Sequence, residues 1–149
     1  VLATLEVVER DNLAATSRDN GSWFIERLKQ IAAKHEKLCE VRGLGLMIGI
    51  KMKQIHIPVI GQLMPEAASK GSAELLAQHV ALELLNKHRI ITQVAANDFS
   101  VLKVMPPLII SRDELERFVL ALDAVLGDSG HISAGASLAM ELWRNRHGV

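Results

Sequence analysis

Residues 39–52 read Cys39-Glu40-Val41-Arg42-Gly43-Leu44-Gly45-Leu46-Met47-Ile48-Gly49-Ile50-Lys51-Met52. Apolar and β-branched residues fill this stretch, and glycines at 43, 45 and 49 punctuate it. That composition favours extended backbone, and glycine tolerates the positive φ that a tight reversal demands. The stretch is therefore predicted to form two short strands around a bend at Gly43–Gly45. Gly49, inside the second strand, leaves room for a bulge or a close backbone approach.

Helical periodicity flanks this hairpin on its N-terminal side. Leu2, Leu5 and Val8 recur at helical spacing until Asp11-Asn12 interrupts them. Phe24, Leu28, Ile31, His35 and Leu38 then trace one face of a second helix, opposite Glu26, Lys29, Gln30, Lys34 and Lys37. Such a stripe is read as facing the core. Beyond the hairpin, residues 53–72 carry Pro58, Gly61, Pro65 and Gly71 and are read as irregular. A third helix is expected from Ser72 to near His88, with Leu76, Val80 and Leu84 on one face. Residues 89–94 and 101–105 read as strands around an Ala96-Asn97-Asp98 turn, and Pro106-Pro107 stops the second. Ser111-Arg112-Asp113-Glu114 matches a capping box and opens a last helix, with Leu115, Phe118, Val119, Leu122, Val125 and Leu126 inward and Gly127 at its end. Residues 128–149 read as a linker or tail, with a possible short amphipathic helix through Ala139, Leu142, Trp143 and Arg146. Strands in hairpin-like pairs between helices imply an α+β fold. Its sheet would be small, antiparallel or mixed, of about four strands, with helices packed on one face.

The chain has 149 residues, enough for one domain with a hydrophobic core. Lys plus Arg and Asp plus Glu number 17 each, and this balance argues against a nucleic-acid-holding surface. No apolar run approaches the roughly 20 residues of a membrane-spanning helix. No signal peptide is visible at the start, and a cytoplasmic location is expected. The sequence opens at Val1 without Met and already in helical pattern, so it is expected to be cut from something longer.

Self-sufficient chemistry is hard to find. His35, His56, His79, His88, His131 and His147 include no His-Glu-x-x-His, and no metal site is expected. His35 is read as a half-buried, satisfied histidine. Cys39 follows a helix C-terminus, where the dipole disfavours a thiolate, and is read as a buried thiol. No serine sits in a nucleophile elbow. Gly43-x-Gly45-x-x-x-Gly49 misses the dinucleotide fingerprint, and no helix N-terminus follows it to face a phosphate.

Two segments in order carry a family likeness. Val41-Arg42-Gly43-Leu44-Gly45-Leu46-Met47-Ile48-Gly49-Ile50 resembles the "VRGxGLMxGIE" signature that opens the C-terminal small domain of class III pyridoxal-phosphate aminotransferases of the ornithine, acetylornithine and putrescine type. Val101-Leu102-Lys103-Val104-Met105-Pro106-Pro107-Leu108-Ile109-Ile110-Ser111 resembles their "VLRFxPPLxIS" strand, and residues 112–126 their closing helix. Ala3 to Glu9 looks like the end of the helix joining the large domain to the small one.

The resemblance implies a fold type I parent that transfers an amino group between an amine or amino acid and a keto acid. Residues 1–127 would be its small domain, with 1–12 the end of the inter-domain helix. Pyridoxal phosphate, its Schiff-base lysine and most of its contacts would belong to a large domain, the missing partner. This chain alone would then hold no cofactor, carry no catalytic residue and be inactive. At Lys103 the family usually has an Arg, which binds the substrate carboxylate or pairs with an active-site Glu. Lys keeps the charge but loses the bidentate fork, which suits a diamine-like or ω-amine substrate. Alternatively, Lys103 merely edges the sheet. Arg42, Gly43 and Gly45 would form the structural bend. The exposed face of the first helix implies a partner and a homo-oligomer. Two other readings stay open: a non-catalytic binding or assembly module with this fold, and a small-molecule regulatory domain with a pocket near residues 53–72.

Overall fold

The computed structural model describes residues 2–54 and 72–128. Within them the order is α1 (Leu2–Arg10), α2 (Leu13–Lys34), β1 (Leu38–Leu44), β2 (Met47–Met52), α3 (Ser72–His88), β3 (Gln93–Ala95), β4 (Asp98–Val104) and α4 (Arg112–Gly127). The fold is α+β. The strands form one sheet in the order β1-β2-β4-β3, and each adjacent pair is antiparallel. Two hairpins thus lie side by side, joined through β2 and β4. The expected irregular segment and tail, with His56, His131 and His147, lie outside the described residues.

Strand alternation sorts the two faces of the sheet. Ile48, Ile50, Met52, Leu102 and Val104 point to one face and are buried there. They meet Phe24, Leu28 and Ile31 of α2, Leu76, Val80 and Leu84 of α3, and Leu115, Phe118 and Leu122 of α4 in one core. Phe24 and Phe118 pack edge to face with centroids 5.6 Å apart, so α2 and α4 share one aromatic contact. Burying each such large side chain contributes roughly 1.5–3 kcal/mol. All three helices therefore lie on one side, and among the described residues the other face carries no helix.

Local chemistry sets the element ends. Asn12 takes φ 49°, a left-handed value that asparagine tolerates, and so separates α1 from α2. The capping box is present: Ser111 Oγ accepts from Glu114 N at 3.2 Å, and Glu114 Oε2 accepts from Ser111 N at 2.9 Å. The end of α4 is capped at Asp128 rather than at Gly127, and Lys37 Nζ donates to Leu126 O at 2.7 Å.

Three expectations need correction. The α2 stripe does not continue to Leu38: the helix ends at Lys34, and Leu38 is buried as the first residue of β1, paired with Met52. Cys39 is exposed, because an irregularity between Leu38 and Glu40 turns it out of the ladder on the edge strand. The strand predicted over 89–94 begins only at Gln93. Arg89 sits at φ 58°, and Ile90 N donates to Leu84 O, so these residues close the end of α3 instead. His35 matches its reading: it ends α2 half-buried, with Nε2 2.7 Å from Asp123 Oδ1.

Candidate functional site

The register brings Arg42, Gly49, Lys103 and Gln93 into one row across the helix-free face, since Arg42 pairs with Gly49, Gly49 with Lys103 and Lys103 with Gln93. Arg42 and Lys103 are two strand spacings apart, about 10 Å between backbones. Gly49 between them carries no side chain, so a shallow trough runs from one cation to the other. A Cβ at Gly49 would meet Val101 Cγ1 at 3.1 Å and would fill that trough. Gly49 therefore keeps the ladder regular and makes no bulge.

The two cations differ in their commitments. Arg42 Nη1 donates to Glu40 Oε2 at 3.1 Å along the same strand face. In the next row Lys51 Nζ donates to Asp98 Oδ2 at 3.2 Å. Asp98 Oδ1 also accepts from Ser100 Oγ at 2.5 Å and Ser100 N at 3.1 Å. The Ser100 hydroxyl, and after it Lys51, holds the Asp98 carboxyl below the usual carboxylate range. Lys103 is half-buried, and its ammonium makes no hydrogen bond or ion pair to any described residue. Its backbone is fixed on both sides, by the β2 and β3 ladders and by Thr92 Oγ1, which donates to Lys103 O at 2.7 Å. Because β4 lies between β2 and β3, Lys103 does not edge the sheet. It is a fixed point charge able to meet an anion.

Arg42 lies within β1, and the turn itself is built by Gly45 and Leu46. Gly45 takes φ +54°, and a Cβ there would lie 2.7 Å from Ser17 Oγ. Gly43 pairs with Ile48, and a Cβ on it would fall 2.5 Å from Met47 O. The hairpin is also seated on α2. Gly21 lets the Gly45 carbonyl approach so closely that a Cβ would be 2.2 Å from its oxygen, and Leu46 N donates to Ser17 Oγ at 3.3 Å. The helical stripe of α2 concealed Gly21 and Ser17. A lone glycine inside a helical pattern was the available signal, since it often marks close packing.

Next to the row, Leu44, Met47 and Met105 leave large apolar side chains exposed. Leu44 pairs with Met47, and extension of the β2–β4 register sets Met105 opposite Met47. The face thus offers a cationic row beside an apolar one. Among the described residues, no cluster of His, Cys, Asp and Glu could hold a metal, and no helix is long and apolar enough to cross a membrane. Nor do they fit a pyridoxal phosphate. A ring laid on this face would touch one layer of protein and keep water on its other side, with Lys103 and Arg42 as the row's charges and the neighbouring Glu40 and Asp98 already paired.

The family model described as "Aminotransferase class-III" matches residues 1–126. Aminotransferase PigE of Serratia is 25% identical over 153 aligned positions, covering 83% of this chain and 18% of that protein. The (R)-1-hydroxy-2-aminoethylphosphonate ammonia-lyase of Vibrio splendidus is 31% identical over 115 positions, covering 77% of this chain and 21% of that protein. A solved transaminase with L-Ala superposes with a TM-score of 0.68 at 27% identity, covering 92% of this chain and 28% of that one. The chain thus spans about a fifth of the length of these curated relatives. Class III aminotransferases are generally pyridoxal-phosphate enzymes. With nearly its whole described length matched in order, this chain belongs to the class-III aminotransferase family.

Proposed function

We propose that residues 1–127 act as the C-terminal small domain of a class III aminotransferase and cover a cofactor site built by a larger domain. Pyridoxal phosphate would supply the electron sink for amino-group transfer, and the protein's part is to bind and orient. This chain's part would be the cationic row on its helix-free face. Lys103 would meet the anionic end of the substrate as a point charge, which tolerates more than one approach angle where an arginine fork would demand one. That tolerance suits an ω-amine donor whose acid group lies away from the amine; with a diamine-like donor, which carries no anion, Lys103 would meet only the keto-acid partner. The apolar row of Leu44, Met47 and Met105 would help exclude water when the face closes. The observation that carries the reading is Lys103 itself, held on an interior strand with its charge uncommitted among the described residues.

The reaction proposed is transamination. A named relative is an ammonia-lyase, so the family also includes elimination chemistry. The partner proposed is the large domain, together with a second copy of the whole enzyme. In the reading frame that joins these residues to a cofactor domain, Lys103→Ala should raise KM for the anionic substrate about tenfold or more. Its kcat at saturation should stay within about threefold. Lys103→Arg should restore most of the loss. An unchanged KM in Lys103→Ala would exclude this role for Lys103.

A second reading is an assembly module. It is favoured by Leu2 and Leu5, which leave the first helix largely exposed along one apolar stripe. Sedimentation would then show concentration-dependent association of the chain, and a monomer at high concentration would oppose it.

A further inference from the structure

The order β1-β2-β4-β3 leaves the sheet two edges, and β3 offers only three residues where β1 offers seven. Edge strands are usually blunted by Pro, by bulges or by a covering segment. β1 contains no Pro, and its irregularity lies at its start, between Leu38 and Glu40. Among the described residues no strand pairs with its outer side. Residues 40–44 are thus a regular template, exposed except for the half-buried Val41. Both ends of the hairpin fix where their backbone groups point. Leu44 and Met47 close a two-residue turn and so form a hydrogen-bonded pair. At the other end Lys53 N donates to Lys37 O at 2.8 Å, and the extra residue of the irregularity follows. Alternation from either end bonds Glu40, Arg42 and Leu44 to β2 and turns the N–H and C=O groups of Val41 and Gly43 outward.

Charge selects what can pair there. Glu40 and Arg42 are exposed and share the helix-free face. Two copies of β1 laid antiparallel about Val41 set each Glu40 opposite the partner's Arg42, at non-bonded positions with Cα atoms about 4.5 Å apart. Val41 then meets the partner's Val41 at the two-fold axis, where their outward N–H and C=O groups exchange hydrogen bonds. The two acids and two cations alternate along the seam, so the contact from Arg42 to Glu40 within each chain need not break. Other registers that align the outward groups lose this match. Centring on Glu40 or on Arg42 opposes like charges, which is destabilising, and centring on Gly43 leaves neither charge facing an opposite one.

We propose that β1 is a self-pairing edge: a second copy of this chain docks on it antiparallel, centred on Val41, and the two sheets become one. The two-fold axis stands across the sheet, so both helix-free faces look the same way. The inference rests on β1 alone, and neither on the role of Lys103 nor on the apolar stripe of α1. Five paired residues a side make less than a standard interface, so the dimer is weak, with a Kd on the order of 0.1–1 mM. Sedimentation equilibrium of the chain at low salt, with circular dichroism to check the fold, tests this. Glu40→Arg and Arg42→Glu should each weaken dimerisation about fivefold or more, because each opposes like charges. An equimolar mixture of the two variants should pair at least as tightly as wild type, since every opposed position again sets acid against base. In the wild-type chain the amide NMR signals of Val41 and Gly43 should shift with protein concentration. A wild-type chain still monomeric at about 2 mM would overturn the proposal. So would dimerisation that leaves the Val41 and Gly43 amides unmoved, folded single variants that dimerise like wild type, or a mixture of folded variants that fails to pair.

Discussion

Gly21→Ala should destabilise the fold, although alanine is the better helix former. Gly21 lies inside α2, where the exchange by itself favours alanine by about 1 kcal/mol. The new Cβ, however, would sit 2.2 Å from Gly45 O and 2.6 Å from Gly45 Cα. Comfortable contact needs about 3.5 Å, so α2 and the hairpin turn must part by about 1 Å. Neither neighbour yields readily, since both are backbone and Gly45 is held at φ +54°. Forcing an extra carbon into such a contact costs roughly 1–3 kcal/mol. The separation also breaks the Leu46 N to Ser17 Oγ hydrogen bond, worth about 1 kcal/mol. The steric terms outweigh propensity, and the net loss is about 2 kcal/mol. For a chain of this length that lowers Tm by about 6–8 °C. Gly127→Ala is the control: a Cβ there meets only His35 Cε1 at 3.8 Å, ordinary contact, and stability should hold or rise. Urea and thermal unfolding followed by circular dichroism read both variants. Gly21→Ala as stable as wild type would refute the close seating of the hairpin on α2.

Ser111→Ala removes the side-chain half of the capping box and should cost about 1 kcal/mol in urea unfolding, with no change in m-value. Asp123→Asn tests the link between the end of α2 and α4. The hydrogen bond from His35, and after it the one from Lys34, holds the Asp123 carboxyl below its ordinary value. A depressed carboxylate contributes stability above its unfolded pKa of about 3.9 and loses it as pH falls through the folded value. Asp123→Asn should therefore be less stable than wild type at neutral pH, and the gap should shrink below about pH 3. An equal gap at both pH values would show that the pair does not drive the acid dependence.

Much of this fold was legible because local signals agreed with one another. The Gly43–Gly45 stretch specified its hairpin, and Ser111 with Glu114 opened α4 where its capping box predicted. The helix expected from Ser72 begins there, and the strand before Pro106 ends at Val104. What escaped depended on contacts distant in sequence. Leu38 continues the apolar spacing of α2, yet pairing with Met52 draws it into β1. Arg89 is not a residue that announces a left-handed helix end, so the strand before Gln93 was read too long. Cys39 is read as buried from its place after a helix C-terminus, and the ladder irregularity beside it explains its exposure. The row of Arg42, Gly49 and Lys103 is a property of register. It depends on β2 pairing with β4 across the intervening helix α3, which no local pattern encodes.

The most direct test of the central claim, that this chain supplies the cover and substrate charge but not the cofactor site, is titration of pyridoxal phosphate into the chain, read by visible absorbance alongside a transamination assay. The account predicts only the spectrum of free cofactor and no transamination above the cofactor's own rate in buffer. A saturable protein-dependent absorption band together with enzyme-like amino-group transfer would contradict it.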